Sequence, residues 1–281
     1  MHVIDLLLRY MKCWEESLAM LRSPSVLAPF VVFAALELLV LMSLTFFFVP
    51  PISTVMVPVT AAVGGEKALH FPMHFILLPH TYHLLYLPLV VIVGFCLFGW
   101  AVSMMLDYYE HIGVAVPDGG RRRSPAFRSM LSLVVVGVVY VTVISVLQLL
   151  FGAIASKIGN IWASRLASLV GVAAIVCAQA LLVYAPFHVV AHAENAVAAI
   201  MHSIRSGRRR FGVTVLILAT VVIIHWPIDA LLRHPDKVVL KFRPELVFFL
   251  LAAGIVVEMF TSYFLFASTT SLATGGRKEG V

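Results

Sequence analysis

The chain has 281 residues, of which 61% are hydrophobic and 12% are charged. Because soluble domains carry about 25% charged residues, this composition excludes a soluble globular protein and indicates an integral membrane protein. The formal net charge of +6 is explained by basic loops that set membrane topology, so it predicts no nucleic-acid partner.

The first predicted element is an amphipathic helix over residues 3–21. Asp5, Arg9, Lys12 and Glu16 recur at steps of three and four residues and therefore share one helix face. Apolar side chains fill the rest of its surface. This pattern is typical of a helix that lies flat in the membrane interface, and we predict that it does so on the cytoplasmic side.

Six long apolar segments follow. Each is long enough to cross a hydrocarbon core of roughly 30 Å, and the apolar runs are continuous rather than alternating, which favours helices over strands. We predict an all-α integral membrane fold with six transmembrane helices in one polytopic domain, residues 1–281. The predicted spans are 25–49, 84–106, 130–154, 165–187, 211–232 and 245–270.

Short basic segments precede the first, third and fifth spans. Arg22-Ser23-Pro24 stands before the first span and recurs as Arg123-Ser124-Pro125 before the third, while Arg205-Ser206-Gly207 is a looser counterpart before the fifth. This weak repeat predicts three transmembrane hairpins, each preceded by a cytoplasmic elbow.

Positive charge predicts the orientation of the spans. Thirteen of the 20 Lys and Arg residues fall on the side of the two termini, so both termini are predicted to be cytoplasmic. We expect the arginines of two elbows to contact anionic lipid headgroups or an acidic partner. These arginines are Arg121, Arg122, Arg123, Arg128, Arg205, Arg208, Arg209 and Arg210.

The elbow before the fifth span reads PFHVVAHAENAVAAIMHSIRSGRRRF, and the last span holds an aromatic pair. The residues concerned are Pro186, Glu194, Ala198, Ala199, Ser203, Arg210, Phe211, Tyr263 and Phe264. With the amphipathic first helix and the Pro-started first span, they resemble bacterial six-helix inner-membrane proteins, namely the YciC-like family and the membrane domain attached to some glycerophosphodiester phosphodiesterases. The resemblance implies a six-helix architecture in a bacterial cytoplasmic membrane. It implies no phosphodiesterase activity, because the chain lacks that catalytic domain.

Two groups of histidines are candidates for binding a metal or haem. His70, His74, His80 and His83 precede the second span and could bind a transition metal, but no cysteine or carboxylate accompanies them. The sequence favours instead an aromatic-rich interfacial helix, in which these histidines are mildly polar residues at headgroup level. The other group, His188, His192 and His225, lies at unequal predicted depths, which argues against a shared haem. We predict no cofactor.

Catalytic and nucleotide-binding motifs are missing from the sequence. It has no Walker pattern, no G-x-S-x-G, no H-E-x-x-H and no C-x-x-C. We therefore predict a protein that is not an enzyme.

Two glutamates occupy predicted spans. Glu37 lies near the middle of the first span and Glu258 near the middle of the last, with no Lys or Arg at that depth. A charge there costs on the order of 3 kcal/mol or more. We expect the two carboxyl groups to approach each other or share a cavity, with at least one of them protonated at neutral pH.

Two classes of function remain open. The first is an accessory or organising subunit of a membrane complex, with other membrane subunits as partners. The alternative is a small transporter or permease that uses Glu37 and Glu258 as a proton or cation site. We favour the first, because the spans show no Gly- or Pro-broken helices of the kind common at transport sites.

Overall fold

A computed structural model describes the backbone of residues 2–114 and 127–275 and the side chains of residues 4–114 and 129–275. Over these ranges the chain is helical and contains no strand. The α-helices are α1 His2–Met20, α2 Pro24–Thr45, α3 Ser53–Gly64, α4 Met73–Leu89, α5 Phe95–His111, α6 Phe127–Lys157, α7 Ile161–Leu182, α8 Ala185–His192, α9 Ala196–Arg209, α10 Phe211–Leu232, α11 Pro235–Lys241 and α12 Leu246–Gly275.

Within the described residues, six helical stretches are long and apolar enough to cross a membrane, and the predicted all-α membrane fold is confirmed. The chain is therefore an integral, multi-pass membrane protein. The stretches are Pro24–Thr45, Met73–His111, Ser129–Lys157, Ile161–His192, Phe211–Leu232 and Leu246–Gly275.

The helical stretch that contains the second predicted span is longer than that span. It begins at Met73 rather than at residue 84, so it takes in residues that the sequence placed before the span. Pro79 and Pro88 lie inside α4, and a π-helical turn, Val90–Gly94, joins α4 to α5. This half of the helix is hard to recognise in the sequence. Its polar residues lower the mean hydropathy, and its prolines lower the helix propensity.

The fourth span is interrupted. Its helix stops at Leu182, and α8 resumes at Ala185 with Pro186 in its first turn. The expectation of unbroken spans is therefore wrong for the fourth span, while the second span stays helical through its π-helical turn. This removes the argument by which the sequence favoured an organising subunit over a transporter, since interrupted helices are common where ions or solutes bind.

The chain forms two compact units. The first comprises Met1–Pro29, Val91–Thr220 and Tyr263–Val281. Within it α6 and α7 pack as a hairpin joined by a three-residue loop, residues 158–160. Asn160 ends this loop and caps α7, since its side-chain oxygen accepts a hydrogen bond from Trp162 N at 2.9 Å.

Helix α1 packs within the first unit against the end of α12. The Tyr263 hydroxyl donates to Ser17 O at 2.7 Å, and the hydroxyls of Ser17 and Ser268 lie 3.0 Å apart. Glu16 accepts a hydrogen bond from Ser271. Because Ser17 and Tyr263 are fully buried, these bonds tie the N-terminal helix firmly to the last one.

The other face of α1 is apolar and unburied. Ile4, Leu8 and Met11 are 65%, 63% and 62% exposed. A helix with one face packed on protein and another exposing large apolar side chains suits a position in the membrane interface. That position remains a prediction.

The second unit comprises Phe30–Val90 and Val221–Ser262. Its core brings together apolar side chains of α2, α4, α11 and α12, including Leu41, Leu78, Val239 and Leu251. Both intramembrane glutamates belong to this unit.

Candidate functional site

Glu37 is buried within the second unit. Its side chain is 1% exposed, and its Oε1 atom has no hydrogen-bond partner among the described residues. The apolar residues Ala34, Leu41 and Leu44 occupy the same core. A buried polar atom without a partner costs about 1–3 kcal/mol, so packing alone does not account for a glutamate at this position.

Glu258 has a specific partner. The Tyr86 hydroxyl, carried by α4, donates a hydrogen bond to Glu258 Oε1 on α12. One turn earlier on α4, Tyr82 is 9% exposed, and its hydroxyl is buried without a partner within the described ranges. The rings of Tyr82 and Tyr86 lie 6.0 Å apart between centroids. We call Glu37, Glu258, Tyr82 and Tyr86 the carboxyl cluster.

The members of this cluster interact electrostatically. Glu37 lies in the field of Glu258, and both glutamates act on the hydroxyls of Tyr82 and Tyr86. Within residues 4–114 and 129–275, neither glutamate forms an ion pair with Lys or Arg. The structure thus brings the two predicted glutamates close enough to interact, and among the described residues neither carboxyl group has a Lys or Arg counter-ion.

A cavity of about 490 Å³ opens beside Glu258. We call it the Glu258 cavity. Its polar lining includes His83, Tyr86, His225, Asp229 and Arg233. Glu258 lines this cavity and Glu37 does not.

The position of His225 beside this cavity is fixed by a hydrogen bond. Its Nε2 atom lies 2.7 Å from the hydroxyl of Thr261 on α12, one turn after Glu258. The Thr261 hydroxyl in turn donates to Val257 O at 2.9 Å. His225 is therefore a titratable group held in place on the wall of the Glu258 cavity.

Sequence reasoning missed Tyr82, Tyr86 and His225 as parts of this site. With the second span predicted to start at residue 84, Tyr82 fell just before that span and Tyr86 just inside it. The available signal was their four-residue spacing, which places both on one helix face.

A second polar cavity lies in the first unit. It has a volume of about 470 Å³ and is lined by four cations and two acids, which are Arg9, Lys12, Arg209, Arg210, Asp5 and Glu16. We call it the Arg209 cavity. The polar stripe predicted on α1 therefore lines an open cavity and meets the fifth-span elbow. Burial lowers the pKa of Arg210, whose guanidinium lies 5.9 Å from the centre of the Tyr184 ring.

Cys13 also lines the Arg209 cavity. Burial raises the pKa of its thiol to about 11, and the nearby negative charge of Glu16 contributes to the rise. The thiol is therefore protonated at neutral pH and is a poor nucleophile.

The predicted elbow arginines are only partly covered by the structure. Arg209 and Arg210 line the Arg209 cavity, while Arg205 and Arg208 lie on α9 outside its lining. Arg121, Arg122 and Arg123 lie outside the described residues, as does the side chain of Arg128.

The histidines of the predicted outer loop are dispersed. His74 is buried against Phe47 and Phe75, with ring centroids 5.5 and 4.0 Å away, whereas His70, His80 and His83 are exposed. Among the described residues, the group that could hold a metal ion is instead His188, Glu194 and His202, in the first unit.

Comparison of this chain with known protein families, with curated proteins and with solved structures gives no match. The resemblance to six-helix inner-membrane proteins therefore remains an expectation from the sequence.

Proposed function

We propose that this protein is a small permease that binds a proton or a small cation at Glu258 and Glu37. The observation that carries the proposal is a pair of interacting carboxyl groups without a cationic partner, one of which lines a cavity. Ionisable groups inside membrane helices are costly and generally mark ion or proton pathways.

The arrangement supports an order of events. An ion entering the Glu258 cavity meets Glu258 first, because Glu37 is not part of the cavity wall. The hydrogen bond from Tyr86 holds the Glu258 carboxylate in place, and Glu37 is the second acceptor. Two carboxyl groups in close proximity favour sharing a proton, since ionising both would leave like charges together in a medium of low polarity.

The π-helical turn in the second span is a further argument for the permease. Tyr82 and Tyr86 stand on α4 just before the π-helical turn Val90–Gly94. Such turns occur frequently at functional sites. A local change of helical winding there would move Tyr86 relative to Glu258 and so alter the affinity of Glu258 for its ion.

Reconstitution tests the proposal. We expect liposomes that contain the purified chain and an entrapped pH dye to acidify when a potassium diffusion potential drives protons inward, or to accumulate radioactive sodium under the same potential. Glu258→Gln keeps the shape of the side chain but cannot ionise, so it should abolish the flux.

Glu245→Gln is the matched control, because the same change is made at an exposed residue just before α12. It should leave the flux unchanged. Wild-type protein that carries neither protons nor sodium, or equal flux in wild type and Glu258→Gln, would refute the proposal.

An organising subunit is the second candidate, and the Arg209 cavity favours it. Four cations against two acids give this cavity a net positive charge, which suits a phosphate-bearing lipid headgroup. We propose that both termini and this cavity face the cytoplasm of a bacterium and that the cavity holds an anionic lipid at a contact with other membrane subunits.

Lipid binding at the Arg209 cavity can be tested by native mass spectrometry. We expect the wild type to retain phosphatidylglycerol and Arg209→Gln to lose it, since the variant removes one of the four lining cations. Arg205→Gln changes an exposed arginine of the same helix outside the cavity and should retain the lipid. Equal retention by all three would count against the assignment, and a subunit that co-purifies stoichiometrically from native membranes would favour the organising role.

A further inference from the structure

The turn between α8 and α9 folds two histidine-bearing helices onto each other. Helix α8 ends at His192, Ala193 adopts a left-handed conformation with φ 51° and ψ 34°, and Asn195 caps α9. A non-glycine residue in this region costs roughly 1–2 kcal/mol. The surrounding contacts therefore hold the turn in place, and the turn directs Glu194 into the space between the helices.

Three potential ligands converge at this turn. One nitrogen each of His188 and His202 and one carboxylate oxygen of Glu194 lie within 4.8 Å of one another. His202 Nδ1 lies 2.8 Å from Glu194 Oε1 and 2.9 Å from Oε2. The rings of His188 and His202 are 5.7 Å apart between centroids. Small side-chain movements would bring all three ligand atoms to the 2.0–2.2 Å bond lengths of zinc.

One ring nitrogen of His188 has a hydrogen-bond partner, and the other has none among the described residues. Its Nε2 atom lies 3.1 Å from the Ser206 hydroxyl, while Nδ1 is buried and lacks a hydrogen-bond partner in the described part of the chain. Metal-binding histidines commonly use one ring nitrogen for such a positioning hydrogen bond and the other for the ion. A simple ion pair between Glu194 and His202 would not require His188 at all.

Access to the group is open on one side. The side chain of Glu194 is 18% exposed and that of His202 is 44% exposed, so an ion can enter from solvent. His192 is exposed and stacks on His188 with ring centroids 5.6 Å apart. A water molecule can supply the fourth ligand.

We propose that His188, Glu194 and His202 bind a divalent transition metal, zinc. Two imidazoles and one carboxylate form a ligand set well suited to zinc, whereas calcium and magnesium prefer oxygen ligands. This site belongs to the first unit and shares no residue with the carboxyl cluster. Its occupation would fix the turn between α8 and α9.

Titration of the purified full-length chain with zinc chloride, after removal of metals by a chelator, tests the site. We expect isothermal calorimetry to show one zinc ion bound per chain, with no comparable binding of magnesium. Loss of an outer-shell residue typically weakens metal binding 10- to 100-fold, so loss of a ligand in Glu194→Gln or His202→Gln should weaken it by at least about tenfold.

His111→Gln is the control, because it removes an exposed histidine at the end of α5 whose ring interacts with Asp107 O. It should bind zinc as the wild type does. A wild type that binds no zinc, or undiminished binding in both ligand variants, would overturn the proposal.

Cobalt substitution gives a readout that does not depend on the variants folding. Wild-type protein loaded with one equivalent of cobalt(II) should show the intense visible absorption of a four-coordinate site. The weak spectrum of six-coordinate, largely hydrated cobalt would contradict the proposed ligand set.

Discussion

Replacing Gly207 with alanine should destabilise the protein by about 3 kcal/mol or more, an effect at or above the upper end of that usual for overpacking. A Cβ atom at this position would lie 2.5 Å from Ala180 O and 2.9 Å from Leu181 Cα. These are backbone atoms of α7 and cannot turn aside as a side-chain tip can. The two helices would have to separate, and the buried hydrogen bond from the Ser203 hydroxyl to Leu181 O, now 2.7 Å, would lengthen.

Thermal unfolding in one detergent measures this effect, and Gly152→Ala is its control. Gly152 is an exposed helical glycine of α6, and a Cβ atom added to it would meet no atom within 4 Å. Alanine there should stabilise the protein by up to about 1 kcal/mol, because alanine has the higher helix propensity. Two changes of the same type should therefore have opposite signs, and a neutral Gly207→Ala would show that α7 and α9 do not pack this closely.

Glu37→Met should raise the free energy of unfolding by about 1–3 kcal/mol and at the same time abolish ion flux. Methionine has a similar length and shape but buries no polar atom, so the cost of the unpartnered Oε1 disappears. Residues kept for function commonly reduce stability in this way.

Glu37→Gln separates the two effects. The amide remains a buried polar group, so stability should not rise, whereas flux should still be lost because the amide cannot ionise. Thermal unfolding and the liposome assay on the same preparations give both readouts. If methionine destabilises the protein more than glutamine does, the Glu37 carboxyl group is a packing and hydrogen-bonding element and not a functional acid.

The proximity of Glu37 and Glu258 could be predicted from sequence, because the bilayer restricts the positions that two acids at this depth can occupy. Two acids near the middle of long apolar helices must avoid lipid, and few other positions remain for them. The hydrogen bond from Tyr86 to Glu258 could not be predicted, since it depends on how α4 packs, and Pro79 and Pro88 obscure α4 in the sequence. Hydropathy is an average over a window of residues and does not register individual contacts. Helix α4, however, is stabilised by the packing of single residues such as Phe75 and Leu78 in the core of the second unit.

The orientation of α1 shows a similar limit. Its periodicity predicted the helix and the shared face of Asp5, Arg9, Lys12 and Glu16. It could not predict that this stripe would line a cavity, because that depends on Arg209 and Arg210, which are distant in sequence. The turn between α8 and α9 could not be predicted for a different reason. Its left-handed residue is Ala193, and alanine, unlike glycine, does not indicate this backbone conformation in a sequence.

The attachment of α1 to α12 has a consequence for biosynthesis. Ser17 bonds to Tyr263 and Ser268, which lie 246 and 251 positions later in the chain. Glu16 bonds to Ser271, which lies 255 positions later. At about 5–20 residues per second, the first helix leaves the ribosome roughly 12 to 50 s before its partners exist. Until then, its exposed apolar side chains Ile4, Leu8 and Met11 favour binding of the helix to the lipid surface. Helix α1, which is translated well before α12, is thus among the last helices to reach its native contacts.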